Sequence, residues 1–559
     1  MENAVLLDYL DPSVPNDYDA DLCIVGGGPA GIAIARAFAG TRVRVCLVEG
    51  GGLTGEERTQ ALYDGRSIGP YPLDAGTARM RVLGGSCTLW GGGCIPFADS
   101  DLEPREWVPD SGWPLRYADL APWYAKAQAF CRIDASHGFG PGAFDGPTAR
   151  PLLDLAPEAM TNFIFARSPI TFGDAYREDL HEQPHLTALL HANAMELDAN
   201  TDASAVTGLR IGSVDGRRGH VRARHYVLAA GGIENARILL LSDTVAPGGL
   251  GNDRDLVGRY FMDHPSGTIG SVYAAQPDRL TRPYERSVGK RRTPVAAEIG
   301  LSTDAQRTHR ILNGRVHPFA VEGDVPRGLR ALRDVRAALR PPVRDESALL
   351  EARLCAALQN GPSGAAAMPQ GLVVSALRLG LNLGDVIRAV SQKINDRPTV
   401  RSGHVDLVGF FEQAPNRDSR ITLGDDRDAL GLRKVQVDWR LTDLDRHSWQ
   451  TLTTITGDRL AATCDGRFER AAWLSDGDVT AGIHGTAHHM GTTRMATSPT
   501  QGVVDVHGKV HGVDNLHVAG SSVFPTGGWA FPTFTLVALS LRLAEHLRML
   551  LGVCEGGVV

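Results

Sequence analysis

The chain has 559 residues, 43% hydrophobic and 22% charged, with a formal net charge of -7; that length exceeds one simple core, so two or more domains are expected. The mild acid surplus argues against a nucleic-acid partner, which selects a basic face, and at most favours a cationic substrate. Residues 1–28 show no basic segment followed by an apolar run, and no stretch reaches about 18 uninterrupted apolar residues, so neither an export signal nor a membrane span is read. The eight cysteines form no CxxC pair, which suits buried thiols in a reducing cytoplasm, the expected location, and offers no zinc spacing.

DLCIVGGGPAGIAIARAF opens with the apolar run Leu22 to Val25, a buried parallel strand by pattern, and turns into helical spacing at Pro29. Gly26, Gly28 and Gly31 stand between in the order GxGxxG. The first allows a tight turn, the second lets a pyrophosphate approach the backbone, and the third lets helix and strand pack closely. The free N–H groups of the helix N-terminus then face the phosphates. RVRVCLVEG follows as a second strand ending at Glu49, an acid placed to grip ribose hydroxyls. A lone GxGxxG is weak; set in strand, turn, helix, strand and acid it is strong. NAD and FAD remain equally possible on these residues.

RVLGGSCTLWGGGCIPF, residues 81–97, is a second glycine-dense segment, with Leu83, Leu89 and Trp90 interleaved as no disordered linker would have them. HVRARHYVLAAGGIENARILLLS, residues 220–242, reads as a strand, a Gly231-Gly232 turn and a helix carrying Glu234. FMDHP, residues 261–265, holds an acid and a histidine in an expected interdomain loop, too little for a metal half-site. EIGLSTD, GHVDLVGFFEQ, SRITLGD and LRKVQVDWRL alternate as half-buried strands do, while residues 325–395 have helical spacing broken by RPPV and NGPSG. That insertion either covers the active site, mediates oligomer contacts, or is a solvated surface elaboration. HHMGTTRM, residues 488–495, is open by itself to metal, base, phosphate-loop and buried-ring readings. Adjacent histidines rarely aim both rings at one ion, so no metal site is expected. Near the end, Leu516 to Val518 leads into Gly520-Ser521-Ser522, and an apolar helix starts at about Pro532.

These four motifs, in this order, resemble the glucose–methanol–choline (GMC) oxidoreductases, FAD enzymes that oxidise alcohols. The resemblance covers the first hundred residues, the stretch near 230 and everything after about 482. It implies an α/β plus α+β fold: a discontinuous Rossmann-like FAD domain (1–105, 181–262, 482–559) and an antiparallel-sheet substrate domain (106–180 with connecting segments, and 263–481). It places Arg81, Gly84, Gly85, Ser86 and Trp90 along the isoalloxazine, Ala194 by the adenine, and Gly520 and Ser521 by the pyrophosphate and ribityl chain. Pro29, Ala30, Ala230, Phe531 and Thr533 are further expected cofactor contacts. Pyranose-oxidase relatives bind flavin covalently through a histidine in Ser-Thr-His-Trp; Cys87-Thr88-Leu89-Trp90 cannot, so noncovalent FAD is expected.

The same resemblance makes His488 the base that takes the hydroxyl proton while hydride passes to flavin N5, with His489 a neighbour pointing elsewhere. Histidine suits that step because its unperturbed pKa is about 6.5. Relatives carry a second histidine or asparagine just before Pro-Thr; here Phe531 precedes Pro532-Thr533 and offers no hydrogen bond. Either His488 suffices, or another group such as His484 or a water substitutes, or dehydrogenation is impaired. Trp529, His484 and Phe531 are the expected substrate-pocket residues, although for each of Trp90, Trp439 and Trp529 a place in the core is the favoured reading over a face against a sugar ring. The expected substrate is a sugar, glycoside or aminosugar polyol, as in the bacterial sugar dehydrogenase and pyranose-oxidase branch, with O2 or another electron acceptor and possible oligomerisation. The alternative is a flavin-containing lyase without net redox.

Overall fold

The computed structural model describes residues 5–553 apart from 78, 136–137, 141–142, 145–150, 286, 289–293, 340–344, 361–371, 395–401 and 476–479. Its first layer is a six-stranded parallel sheet in the order Val5–Asp8, Leu186–Leu190, Val45–Val48, Leu22–Val25, His225–Leu228, Leu516–Val518. The chain thus contributes strands from both ends and the middle, and the FAD-type domain is discontinuous. Leu22–Val25 is central and buried on both faces, which explains its unbroken apolar run. Its neighbours are the next strand, Val45–Val48, on one side and the distant His225–Leu228 on the other, so the strand order reverses there, at the crevice where open α/β sheets hold ligands. Val5–Asp8, an edge strand without alternation, carried no signal in the sequence.

The second large sheet is antiparallel: Arg467–Arg470, Ser266–Tyr273, Ser402–Phe411, Gly314–Glu322, Pro294–Leu301, Met160–Arg167 and Gly93–Cys94 in order, with Ser287–Val288 on Pro294–Leu301. Two of the four alternating stretches give strands of it, Pro294–Leu301 and Ser402–Phe411, and the other two, Arg420–Arg427 and Arg433–Asp438, pair in a smaller sheet with Gly65–Ser67. One apolar core surrounds the parallel sheet and a second the antiparallel sheet. The helix Pro532–Leu550 packs on Tyr117–Phe130 and on Pro29–Arg36, tying the C-terminus to the first dinucleotide turn.

The insertion is helical: Arg327–Ala338, Glu346–Asn360, Leu372–Leu381 and Leu383–Ile394. Its helix Glu346–Asn360 is tied to the body of the molecule. Leu350 and Leu354 are fully buried against Met80 and Val82, and the Ser347 hydroxyl accepts from Gly55 N at 2.9 Å. The insertion therefore braces the segment that begins at Met80. Among the described residues no helix is long and apolar enough to cross a membrane.

Candidate active site

One cavity of about 1100 Å³ runs from the crevice of the parallel sheet to the face of the antiparallel sheet. At the first end the three fingerprint glycines have three separate reasons to lack a side chain. Gly26 has φ +107°, and a Cβ there would lie 2.5 Å from Ala229 O. A Cβ on Gly31 would overlap the Gly26 carbonyl, so helix and strand could not close. On Gly28 it would meet no protein atom and would stand in the cavity, as at Gly231 and Gly520. The helices Pro29–Arg36, Gly231–Leu241 and Pro532–Leu550 begin there without side-chain caps. Their free N–H groups and dipoles suit an anion such as a pyrophosphate.

Glu49 is buried at the end of Val45–Val48. Its Oε2 accepts from Gly27 N and its Oε1 from Gly51 N, both at 2.7 Å. Burial raises its pKa, and these two N–H groups with Arg81 oppose the rise. Both oxygens keep lone pairs for a ribose hydroxyl. Arg81 donates to Asn193 Oδ1 at 2.7 Å, while its Nε is buried without a partner. An orphaned guanidinium nitrogen, three bare glycines and uncapped helix ends together fit FAD, a long dianionic dinucleotide.

At the far end, two segments lie side by side. Met262 exchanges backbone hydrogen bonds with Met490, and Ser266 with His484. Asp263, between them and fully buried, gathers the loop: its Oδ1 accepts from His488 N at 2.8 Å and His264 N at 2.7 Å, and its Oδ2 from Ala487 N at 3.1 Å. Ala487 has φ +62°, a left-handed conformation a non-glycine residue adopts at a cost, and Asp263 holds it there. Burial raises the Asp263 carboxyl to about 6 against those N–H groups. His488 Nδ1 lies 2.9 Å from His264 Nδ1 and 3.1 Å from Thr486 Oγ1. Burial, then His264, Arg315 and His489, push the His488 pKa well below its ordinary value, so its ring is neutral at pH 7.

The antiparallel sheet supplies the wall opposite. Glu298 Oε2 accepts from Arg315 Nη1, both buried, and Arg315 Nε has no hydrogen-bond partner. The guanidinium lies 4.5 Å from the Phe531 ring centroid and 4.2 Å from that of Phe410. Burial and Arg167 lower the Arg315 pKa to about 9, which leaves it a cation at neutral pH. Phe531 meets the His488 ring edge-on with centroids 6.0 Å apart, and a Cβ on Gly93 would lie 2.5 Å from its Cδ2.

Most of the residues singled out in the sequence line this one cavity: Gly26, Gly28, Pro29, Ala30, Glu49, Arg81, Gly85, Ser86, Trp90, Ala194, Ala230, Gly520, Ser521, Phe531, Thr533, His484 and His488. Three do not. Gly31 acts in packing, as its place in the fingerprint requires. Gly84, expected along the flavin, is turned in a left-handed conformation against Gly173, whose N would be 2.8 Å from its Cβ. Trp529, expected in the substrate pocket, is 4% exposed and stacks on Phe163 at 3.9 Å, so the core claims it. His489 also lines the cavity, with its ring against Phe261 at 5.6 Å. Sequence reasoning missed Asp263, His264, Glu298 and Arg315. FMDHP was visible but weighed only for metal; Glu298 and Arg315 gave no signal.

Residues 415–540 match the family model described as GMC oxidoreductase. Among known proteins, 6'''-hydroxyparomomycin C oxidase of Streptomyces lividus is 25% identical, over 97% of this chain and 94% of that one. Paromamine 6'-oxidase of Streptomyces fradiae is 23% identical over 94% and 90%. Pyridoxine 4-oxidase from Mesorbium loti has the same fold, with a TM-score of 0.57 over 95% of this chain and 99% of that one at 19% identity.

Proposed function

We propose that this enzyme oxidises a hydroxyl group of a sugar-like or aminosugar polyol to the carbonyl, with His488 taking the hydroxyl proton. The observation that carries the reading is the neutral His488 ring on the wall of the same cavity whose other end fits a dinucleotide. Bound FAD supplies the acceptor for the hydride leaving the carbon. Gly28, Gly231, Gly520 and the three helix ends would hold its pyrophosphate and Glu49 a ribose, while Asp263 keeps the His488 backbone in place. The relatives named for aminoglycoside substrates support the substrate class.

Phe531 leaves no polar gap in this reading. The polar companion of His488 comes from the sheet, as the Arg315–Glu298 pair: the carboxylate accepts from one substrate hydroxyl and the guanidinium donates to another, or to the oxygen gaining negative charge. Leu89 lines the cavity and has no atom to bond a flavin, which supports noncovalent FAD; acid precipitation should release all the flavin. The described cysteines are all unpaired, in keeping with a cytoplasmic site of action. Oxygen or another acceptor completes the turnover.

The test is anaerobic mixing with a panel of alcohols that includes glucose, sorbitol and paromamine, followed by flavin absorbance. Bleaching by one of them is expected, and His488→Ala should keep the yellow cofactor while bleaching slows by about 10²–10⁴. Undiminished bleaching in His488→Ala would remove His488 as the base, and no bleaching by any alcohol would remove the oxidation.

A further inference from the structure

His264 and His488 are far apart in the chain, yet their Nδ1 atoms face each other at 2.9 Å with the rings crossed at 83°. One of these nitrogens must donate and the other accept, because two N–H groups or two lone pairs would repel. His264 is buried and His488 half-buried. Burial and Arg315 draw His264 down to about 4, so it too is neutral at pH 7 and carries one proton. Its other nitrogen, Nε2, lies 3.3 Å from the Gly527 carbonyl oxygen, which can only accept. The single proton of His264 therefore sits on Nε2, its Nδ1 is a bare lone pair, and the proton between the rings belongs to His488. Thr486 agrees. Its hydroxyl donates to His264 O at 3.0 Å, so its oxygen is a second acceptor beside His488 Nδ1.

We propose that His264 is a positioning residue that fixes the tautomer of His488, keeping the proton on Nδ1 and leaving Nε2 bare as the atom that takes the hydroxyl proton. The chain runs from Gly527 O through His264 to His488, and its two ring hydrogen bonds leave each ring a single neutral arrangement. When the substrate O–H bond breaks, its proton joins Nε2 and its electron pair stays on the substrate oxygen. The Nδ1 proton stays where it was. The resulting imidazolium donates more strongly to the same His264 acceptor, so the device favours the charged state of the base. Without His264 the ring is free to carry its proton on Nε2, where it presents a donor and cannot act as a base.

This inference rests on His488 being the base, but its first test does not. Holoenzyme with 15N-labelled histidine, compared with His488→Gln to assign the signals, should show His488 with a protonated Nδ1 and an unprotonated Nε2 at pH 7. The opposite tautomer would overturn the proposal, and that measurement requires no His264 variant to fold. The second test uses two variants and the alcohol of the panel that bleaches the flavin fastest. His264→Leu removes the acceptor and should slow flavin reduction by about 10²-fold at unchanged FAD content. His264→Asn keeps an oxygen near the Nδ1 position and should recover at least about tenfold of that loss, within the range of general base catalysis. Equal loss in both variants, or none in His264→Leu, sinks the proposal while leaving His488 as the base.

Discussion

The two ends of the cavity are built from different materials. The cofactor end is made of main chain: glycines without side chains, helix N-termini without caps, and one carboxylate tied to two backbone N–H groups. The end proposed to carry the chemistry is made of side chains, drawn from 263–264, 298–315, 484–488 and 531 and packed against one another. A backbone-built cradle decides whether the cofactor stays. A cluster of side chains decides what a bound cofactor can be made to do. Substitutions at the two ends should therefore fail in different ways.

The widest separation is expected from His488→Ala, whose loss of about 10²–10⁴ in flavin reduction should leave FAD content intact. Gly28→Val is its counterpart. The added side chain stands in the cavity, and overpacking of about 1–3 kcal/mol weakens FAD by roughly fivefold to 150-fold. Flavin titration of the purified protein measures this, and saturating FAD should restore most of the reduction rate, which it cannot do for His488→Ala.

Arg315 tests whether the sheet supplies the missing companion. Removing the cation alone would strand buried Glu298, so the informative variant is Arg315→Met with Glu298→Gln. A charged hydrogen bond is worth about 1.5–3 kcal/mol, so kcat/KM should fall roughly 10- to 100-fold. Arg315 also lowers the His488 pKa, hence its loss should move the acid limb of the kcat/KM profile to higher pH. A purely structural role would lower activity without moving that limb.

The smallest effect concerns stability. Burial holds His264 and His317 near pKa 4 and His489 and His517 near 3, with His488 also well below its ordinary value. As pH falls below about 6.5, the unfolded chain takes up these protons and the folded one does not, so stability is lost. Asp101, Asp263 and Asp445, raised by burial to about 6, act oppositely: the folded state takes up their protons first and gains stability as pH falls through 6. The histidines outnumber the carboxylates, so Tm should drop by a few °C per pH unit between 6 and 5. A Tm that rises over that interval would contradict the burial of the histidine cluster.

The sequence was legible where structure is local. GxGxxG followed by a strand and an acid is a short-range pattern: Gly26 and Gly31 take the turn and packing roles that pattern assigns, and Gly28 and Glu49 line the cavity. His488 was reachable through its Gly-Thr context. Trp529 was read both as a pocket aromatic and as core filler because nothing local tells whether Phe163 will stack on it. Gly84 and Gly85 are adjacent and both left-handed, yet one packs on Gly173 and the other reaches the cavity.

By itself, the sequence determined the dinucleotide crevice and the two classes of sheet. Each follows from steric rules or periodicities that act within about twenty residues. The tertiary structure alone decided which side chains surround His488. His264 meets His488 because Met262–Ser266 lies along His484–Met490, and Arg315 reaches Phe531 because the antiparallel sheet closes over the crevice. Such contacts depend on how two cores pack together, and a position along the chain carries no record of that.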